Sequence, residues 1–265
     1  MRKILTIAGS DSSGGAGAQA DLKTITAHKM YGMSAITALT AQNTLGVSAV
    51  SAVSGEFVSA QIKACFDDIC PDAIKIGMLF NAEIIAAVRE SLRENHAKNI
   101  VCDTVMISTS GARLLENDAI KALWGLFEIS DIITPNAAET SVLAGFEVKD
   151  LATQKDAAKA IFDKCGVRVL AKGGHLNATD VLYDGAEFFE FKGELIATKN
   201  THGTGCTLSA AIACALGAGL DMKSAVAHAK NFVSKALGWS EQIGQGCGAI
   251  DHYFNIPELI KNEKF

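Results

Sequence analysis

A glycine turn, a thiol and a helix start follow one another in TKNTHGTGCTLSAAIACALG, residues 198–217. Gly203, Thr204, Gly205 and Cys206 precede Leu208, Ala211, Ile212, Ala215 and Leu216, whose spacing predicts a helix buried on one face. The first amides of a helix lack partners and lie at the positive end of its dipole, so such a turn invites an anion, phosphate above all. Cys206 sits in the same field, which predicts a lowered thiol pKa and work as a base or nucleophile. The competing reading is a buried cysteine packed as a small apolar group.

Other groups with chemical potential stand where strands end. Asp103 and Glu139 follow two predicted strands and could hold Mg²⁺ through waters and phosphate oxygens, or serve as caps and surface charges. Lys172, before Gly173 and Gly174, suits a phosphate contact or is a solvated lysine in a tight turn. Gln42 and Asn43 close the run SAITALTAQN, where amides can read a heterocycle or simply form a turn. Asp21 lies about one turn beyond Gly17 and either points back to the loop GSDSSGGAG or is an exposed first-turn carboxylate. Gly15 to Ala20 fits GxGxxA, but polar residues separate it from the strand and no acid falls between Asp21 and Glu56, which argues against a dinucleotide site. A GxxxxGK[ST] phosphate loop is absent.

The elements needed to position these groups alternate. Strands are predicted at 4–8, 34–43, 73–76, 100–103, 131–134 and 167–171. Helices are predicted from Ala18, at 57–69, 82–94, 118–127, around Glu139, at 155–165 and at 222–238, with a short one near Pro257. Residues 180–183 and 188–191 read as a hairpin over Asp184-Gly185. This order predicts an α/β fold with a mainly parallel sheet and helices on both faces, and ligands gathered at the carboxyl ends of the strands. A length of 265 residues at 49% hydrophobic content fits one domain, 1–265. A net charge of -5 without charged blocks argues against a nucleic-acid or anionic-membrane footprint and fits small-molecule work better. Seven cysteines without a CxxC pair predict reduced thiols in a cytoplasm, and no signal-peptide layout or apolar run of roughly 18 residues is found.

Together, AGSDSSGGAGAQADLKT, ALTAQNT, KIGML, DTVM, TPNAAET, KGGH and NTHGTGCTLSAAIA resemble the hydroxymethylpyrimidine/phosphomethylpyrimidine kinases of thiamine biosynthesis, in the ribokinase-like superfamily. The resemblance implies ATP-dependent phosphorylation of 4-amino-5-hydroxymethyl-2-methylpyrimidine and then of its monophosphate, with Mg²⁺ near Asp103 and Glu139. It implies that Asp21 and Gln42 bind the pyrimidine with Ala16, Met78 and Val105 packed around it, and that Asn136 and Thr201 lie near the nucleotide. The amides of Gly203, Thr204, Gly205 and Cys206 would hold the transferring group, with Lys172 adding positive charge and Cys206 accepting the substrate proton. Ser12 and Thr104 stand where the family often has proline, and slightly slacker loops are expected there. Pyridoxal kinase, of the same fold and reaction, is the nearest rival reading, and a non-catalytic pyrimidine sensor a more distant one. A homodimer is what the superfamily resemblance would allow.

Overall fold

The structure is a computed structural model and describes residues 1–106 and 119–256. The first half of the chain forms β1 (Lys3–Asp11), α1 (Gly17–Ala27), β2 (Tyr31–Asn43), β3 (Gly46–Ala52), α2 (Gly55–Asp68), β4 (Ala73–Ile76), α3 (Ala82–Glu94) and β5 (Ile100–Cys102). The second half forms α4 (Ala119–Phe127), β6 (Ile132–Ile133), α5 (Ala137–Ala144), α6 (Leu151–Cys165), β7 (Arg168–Ala171), α7 (Gly174–Asn177), β8 (Thr179–Tyr183), β9 (Phe188–Lys192), α8 (Thr204–Gly217) and α9 (Met222–Gly238). The strands make one sheet in the order β3-β2-β1-β4-β5-β6-β7-β8-β9. The centre is parallel, and antiparallel pairs occur only where β3 joins one end and β8 and β9 the other.

Burial on both faces explains the apolar runs in the central strands. Successive side chains of a strand point to opposite faces, so Leu5 and Ile7 of β1 join Ile74 and Ile76 under α2, α3, α4 and α6. Ile4 faces the other way, with Ala73, Val101 and Leu170, and packs against Ile25 of α1, Ile212 of α8 and Val226 and Phe232 of α9. α8 is buried all round from Thr207 to Gly217, which corrects the expectation of a single buried face. It lies between the sheet and α9, and its Ala, Ser, Cys and Gly content permits the approach. A Cβ on Gly217 would stand 2.7 Å from Ile4 Cδ1.

The predicted elements differ from the observed ones mainly around the first loop. β1 continues through Gly9, Ser10 and Asp11, because Ser10 and Asp11 pair with Leu39 and Thr40 of β2 after a register shift. β3, absent from the sequence reading, pairs antiparallel with β2 and is mostly exposed, so it lacks the alternating apolar pattern that would mark it. The short α7 was likewise not foreseen. Asp118 and the helix expected near Pro257 lie outside the described residues. No helix among the described residues is long and apolar enough to cross a membrane.

Ile4→Ala should cost about 2–5 kcal/mol by opening a cavity between β1 and α8. Urea unfolding should show a lower midpoint at unchanged slope, and a near-neutral result would mean that α8 settles onto the strand.

Candidate active site

The glycine turn lies at the N-terminus of α8 and touches the first loop. Gly203 caps the helix with φ 84°, and a Cβ there would collide with the carbonyl oxygen of Gly15. Only glycine satisfies both the left-handed backbone and this approach. Thr204 closes the turn, with its amide and hydroxyl donating to the Thr201 carbonyl at 3.2 and 2.6 Å. The amides of Gly205 and Cys206 find no carbonyl among the described residues, as expected of donors at a helix start. The Gly17 amide, first in α1, donates to the Cys206 thiol, so two helix N-termini converge on this sulfur.

An ion pair stands beside the turn. Lys172 Nζ donates to Asp103 Oδ1 at 2.9 Å, Thr134 Oγ1 donates to the same oxygen at 2.9 Å, and Ser209 reaches Oδ2 at 3.3 Å. A Cβ on Gly205 would lie 3.3 Å from Lys172 Nζ and 3.7 Å from Asp103 Oδ2, which places this pair against the first turn of α8. Burial opposes ionisation of Asp103, but the Lys172 and Lys75 ammoniums outweigh it and hold its pKa below the usual carboxylate value. Burial likewise works against the Lys172 charge, and Asp103 and Glu139 more than offset it. Glu139 is pushed up by burial, with Lys172 opposing. Its Oε2 accepts from Thr104 Oγ1 and the Asn136 amide, each at 2.9 Å, in a capping box on α5.

Beneath the sulfur lies a second pair that the sequence reading missed. Lys75 is wholly buried in β4, and its Nζ meets Asp21 Oδ2 at 2.8 Å, an oxygen that also accepts from Thr6 at 2.5 Å. Asp21 is therefore neither an exposed first-turn carboxylate nor open to solvent, and its Oδ1 has no partner among the described residues. Burial pushes the Asp21 carboxyl up, and the adjacent Lys75 ammonium opposes that rise. For Cys206 the expected lowering is corrected. Burial raises the thiol pKa to about 11, and Lys75 and the Gly17 amide only moderate the rise, which Asp21 and Asp103 add to.

Gln42 lies at the end of β2, where the Ser12 hydroxyl both accepts from its amide and donates to its carbonyl, each at 2.8 Å. Its side chain lies 3.2 Å from His202 Nε2, next to the glycine turn. Asn43 is a turn residue, its Oδ1 accepting the Leu45 amide at 2.9 Å. Met78 is buried beside Ala38, with Val105 and Phe80 packed against them, and its sulfur lies 3.0 Å from the Cβ position of Gly9. Ala16 is the N-cap of α1 and gives its amide to Asp11. Asn136 is tied to the carboxylates only through the Glu139 capping box, and Thr201 Oγ1 lies 3.4 Å from Cys247 Sγ. Ser12 and Thr104, expected to slacken their loops, instead tether them, to Gln42 and Glu139. Asp11 and His202 also went unremarked as single residues. Lys75 had a signal, a lysine inside an apolar strand, since unpaired lysine is almost never fully buried.

Asp21→Asn should cost about 3–5 kcal/mol by leaving the Lys75 ammonium unpaired, and adding Lys75→Met should recover most of it. Urea unfolding of wild type and the two variants decides. If Asp21→Asn alone were neutral, the pair would not be ionised in the folded chain.

Comparison with known proteins identifies the family. A family model described as Phosphomethylpyrimidine kinase matches residues 11–251. The chain is 44% identical over 260 residues to the thiamine biosynthesis bifunctional protein ThiED of Geobacter sulfurreducens, covering 97% of this chain and 53% of that one, so it spans about half the length of that relative. It is 47% identical over 256 residues to the hydroxymethylpyrimidine/phosphomethylpyrimidine kinase of Rhizobium meliloti, covering 94% of this chain and 96% of the relative. Among solved structures, an ADP complex of Bacillus subtilis pyridoxal kinase superposes with a TM-score of 0.87 at 38% identity, over 96% of this chain and 98% of the other. The expected ribokinase-like α/β fold is thus present. With the glycine turn, the Lys172–Asp103 pair and the Gln42 strand end all inside the matched span, the chain belongs to the phosphomethylpyrimidine kinase family.

Proposed function

We propose that this chain transfers the γ-phosphoryl group of ATP to the primary alcohol of 4-amino-5-hydroxymethyl-2-methylpyrimidine and then phosphorylates the monophosphate to the diphosphate. The observation that carries the reading is the placing of free helix-start amides, a lysine–carboxylate pair and one thiol within a single turn of α8. Phosphoryl transfer asks mainly for alignment and charge stabilisation, and preorganised amides supply both without reorganising. Gly203, Gly205 and Cys206 are the donors for the transferring group, Thr204, expected to join them, instead spends its amide on the Thr201 carbonyl and shapes the turn, and Lys172 is the adjacent cation. Gln42, Ala16, Met78 and Val105 bind the pyrimidine; Asn136 and Thr201 serve the nucleotide. Asp21 acts on the pyrimidine through the Lys75 ammonium with which it pairs.

Asp103, Glu139 and Asp21 face Lys75 and Lys172, so carboxylates outnumber ammoniums even before a triphosphate arrives. Among the described residues no three metal-ligating side chains cluster, which suits a Mg²⁺ that keeps its waters and takes oxygens from phosphate rather than a closed protein cage. Asp103 and Glu139 fit that role. When bound, the ion would neutralise charge on the nucleotide phosphates.

Cys206 accepts the alcohol proton. The fit to a pyridoxal kinase fold favours a second reading, phosphorylation of a B6 vitamer at the same site. Coupled ADP release with hydroxymethylpyrimidine and with pyridoxal separates the two, and a clear preference for pyridoxal would overturn the first. With the Cys206 thiol at about 11 in the free protein, the base form grows with pH, so kcat/KM should climb between pH 7 and 9. Cys206→Ala should flatten that rise and lower kcat by about 10²–10⁴-fold. Full turnover in this variant would show the thiol to be dispensable.

A further inference from the structure

Three separated segments meet above the glycine turn through Asp11, His202 and Gln42. Asp11 Oδ1 accepts from the Ser13 amide and hydroxyl at 2.9 and 2.7 Å, and Oδ2 from the amides of Gly15 and Ala16 at 3.1 and 2.8 Å. His202 Nε2 lies 2.8 Å from the same Oδ2. Burial opposes the charge on Asp11, but these donors prevail and hold it at about 2. An ionised carboxylate only accepts, so His202 Nε2 must carry a hydrogen. The imidazole occupies the space that a Cβ on Gly15 would need, which locks it against the loop.

That hydrogen decides the state of Gln42. One end of its carboxamide lies 3.2 Å from His202 Nε2, and the other 3.1 Å from Thr40 Oγ1. The Thr40 hydroxyl gives its own hydrogen to the Ser10 carbonyl at 2.8 Å, so toward Gln42 it offers a lone pair. Oxygen and nitrogen of a carboxamide have the same shape, and the network decides between them. Nitrogen toward His202 and oxygen toward Thr40 would oppose donor to donor and leave Thr40 without a second hydrogen to give. Oxygen toward His202 shares the one Nε2 hydrogen with Asp11 in a three-centre bond, and nitrogen toward Thr40 donates to the hydroxyl lone pair. Oε1 then keeps one free lone pair and Nε2 one free hydrogen, side by side.

We propose that His202, backed by Asp11, is a positioning residue that fixes the Gln42 carboxamide as an acceptor–donor pair matched to the amino group and adjacent ring nitrogen of a 4-aminopyrimidine. The proposal rests on the pyrimidine-kinase reading above and makes His202 a determinant of substrate choice. A pyridine bearing hydroxyl and methyl in place of that edge leaves the fixed pair unmatched, and the amide cannot turn to meet it without breaking its bonds to His202 and Thr40. A site built to hydrogen-bond a substrate rejects an analogue that lacks the partner.

The test is a double-variant cycle on ADP release: wild type, His202→Leu, Gln42→Ala, His202→Leu/Gln42→Ala, and the conservative His202→Gln. Thr40→Val probes the far end without touching Asp11, should His202→Leu fold poorly by thermal melting. Expected for His202→Leu is a pyrimidine KM raised about tenfold, the size of one lost hydrogen bond. Its ATP KM should stay unchanged, and its preference for the pyrimidine over pyridoxal should narrow by the same factor. The double variant should be no worse than Gln42→Ala, His202→Gln should recover most of the loss, and Thr40→Val should raise the pyrimidine KM in the same sense. Independent, multiplying effects of His202→Leu and Gln42→Ala would overturn the proposal. So would a rise confined to the ATP KM, which would make His202 a support of the glycine turn alone. Either result leaves the function reading intact, whereas wild-type protein that phosphorylates pyridoxal and not the pyrimidine overturns that reading and this proposal together.

Discussion

The approach of Gly203 to the Gly15 carbonyl is the constraint on which the rest of the site depends. Two backbone segments meet there without a side chain between them, one ending β1 and the other starting α8. Asp11 gathers the first loop by accepting its amides, His202 reaches across from the second segment to the same carboxylate, and Cys206 receives the Gly17 amide from the far side. A side chain at either glycine would push the loop off the helix start.

Charge is organised by the same meeting. Lys172–Asp103, largely buried, lies beside α8, and Lys75–Asp21, wholly buried, beneath it. Buried pairs of this kind repay little stability once desolvation is counted, so their presence at one place speaks for electrostatic preorganisation of a reaction rather than for holding the sheet together. Stability comes instead from the two apolar layers, which alternate along single strands such as β1.

Much of this was legible in the chain. Helices α3 and α9 and strand β4 fall where their periodicity puts them, because amphipathic faces and flanking turn residues leave a local record. The strand-end positions of Lys172, Asp103 and Glu139 follow from topology alone. Less legible were features set by tertiary surroundings. The thiol of Cys206 looked acidified because a helix start is visible in sequence while the burial that opposes it is not. Ser12 and Thr104 looked like lost rigidity, and only their distant partners show each hydroxyl acting as a tether. The hairpin of β2 with β3 left no alternating pattern because its residues are largely exposed.

Burial of Cys206 has one more consequence. Peroxide attacks thiolate, and sulfenic acid is the first rung of damage from which disulfides and irreversible acids follow. A sulfur kept protonated offers little of the reactive form, so the thiol proposed as the base is sheltered from oxidants while the enzyme waits for substrate.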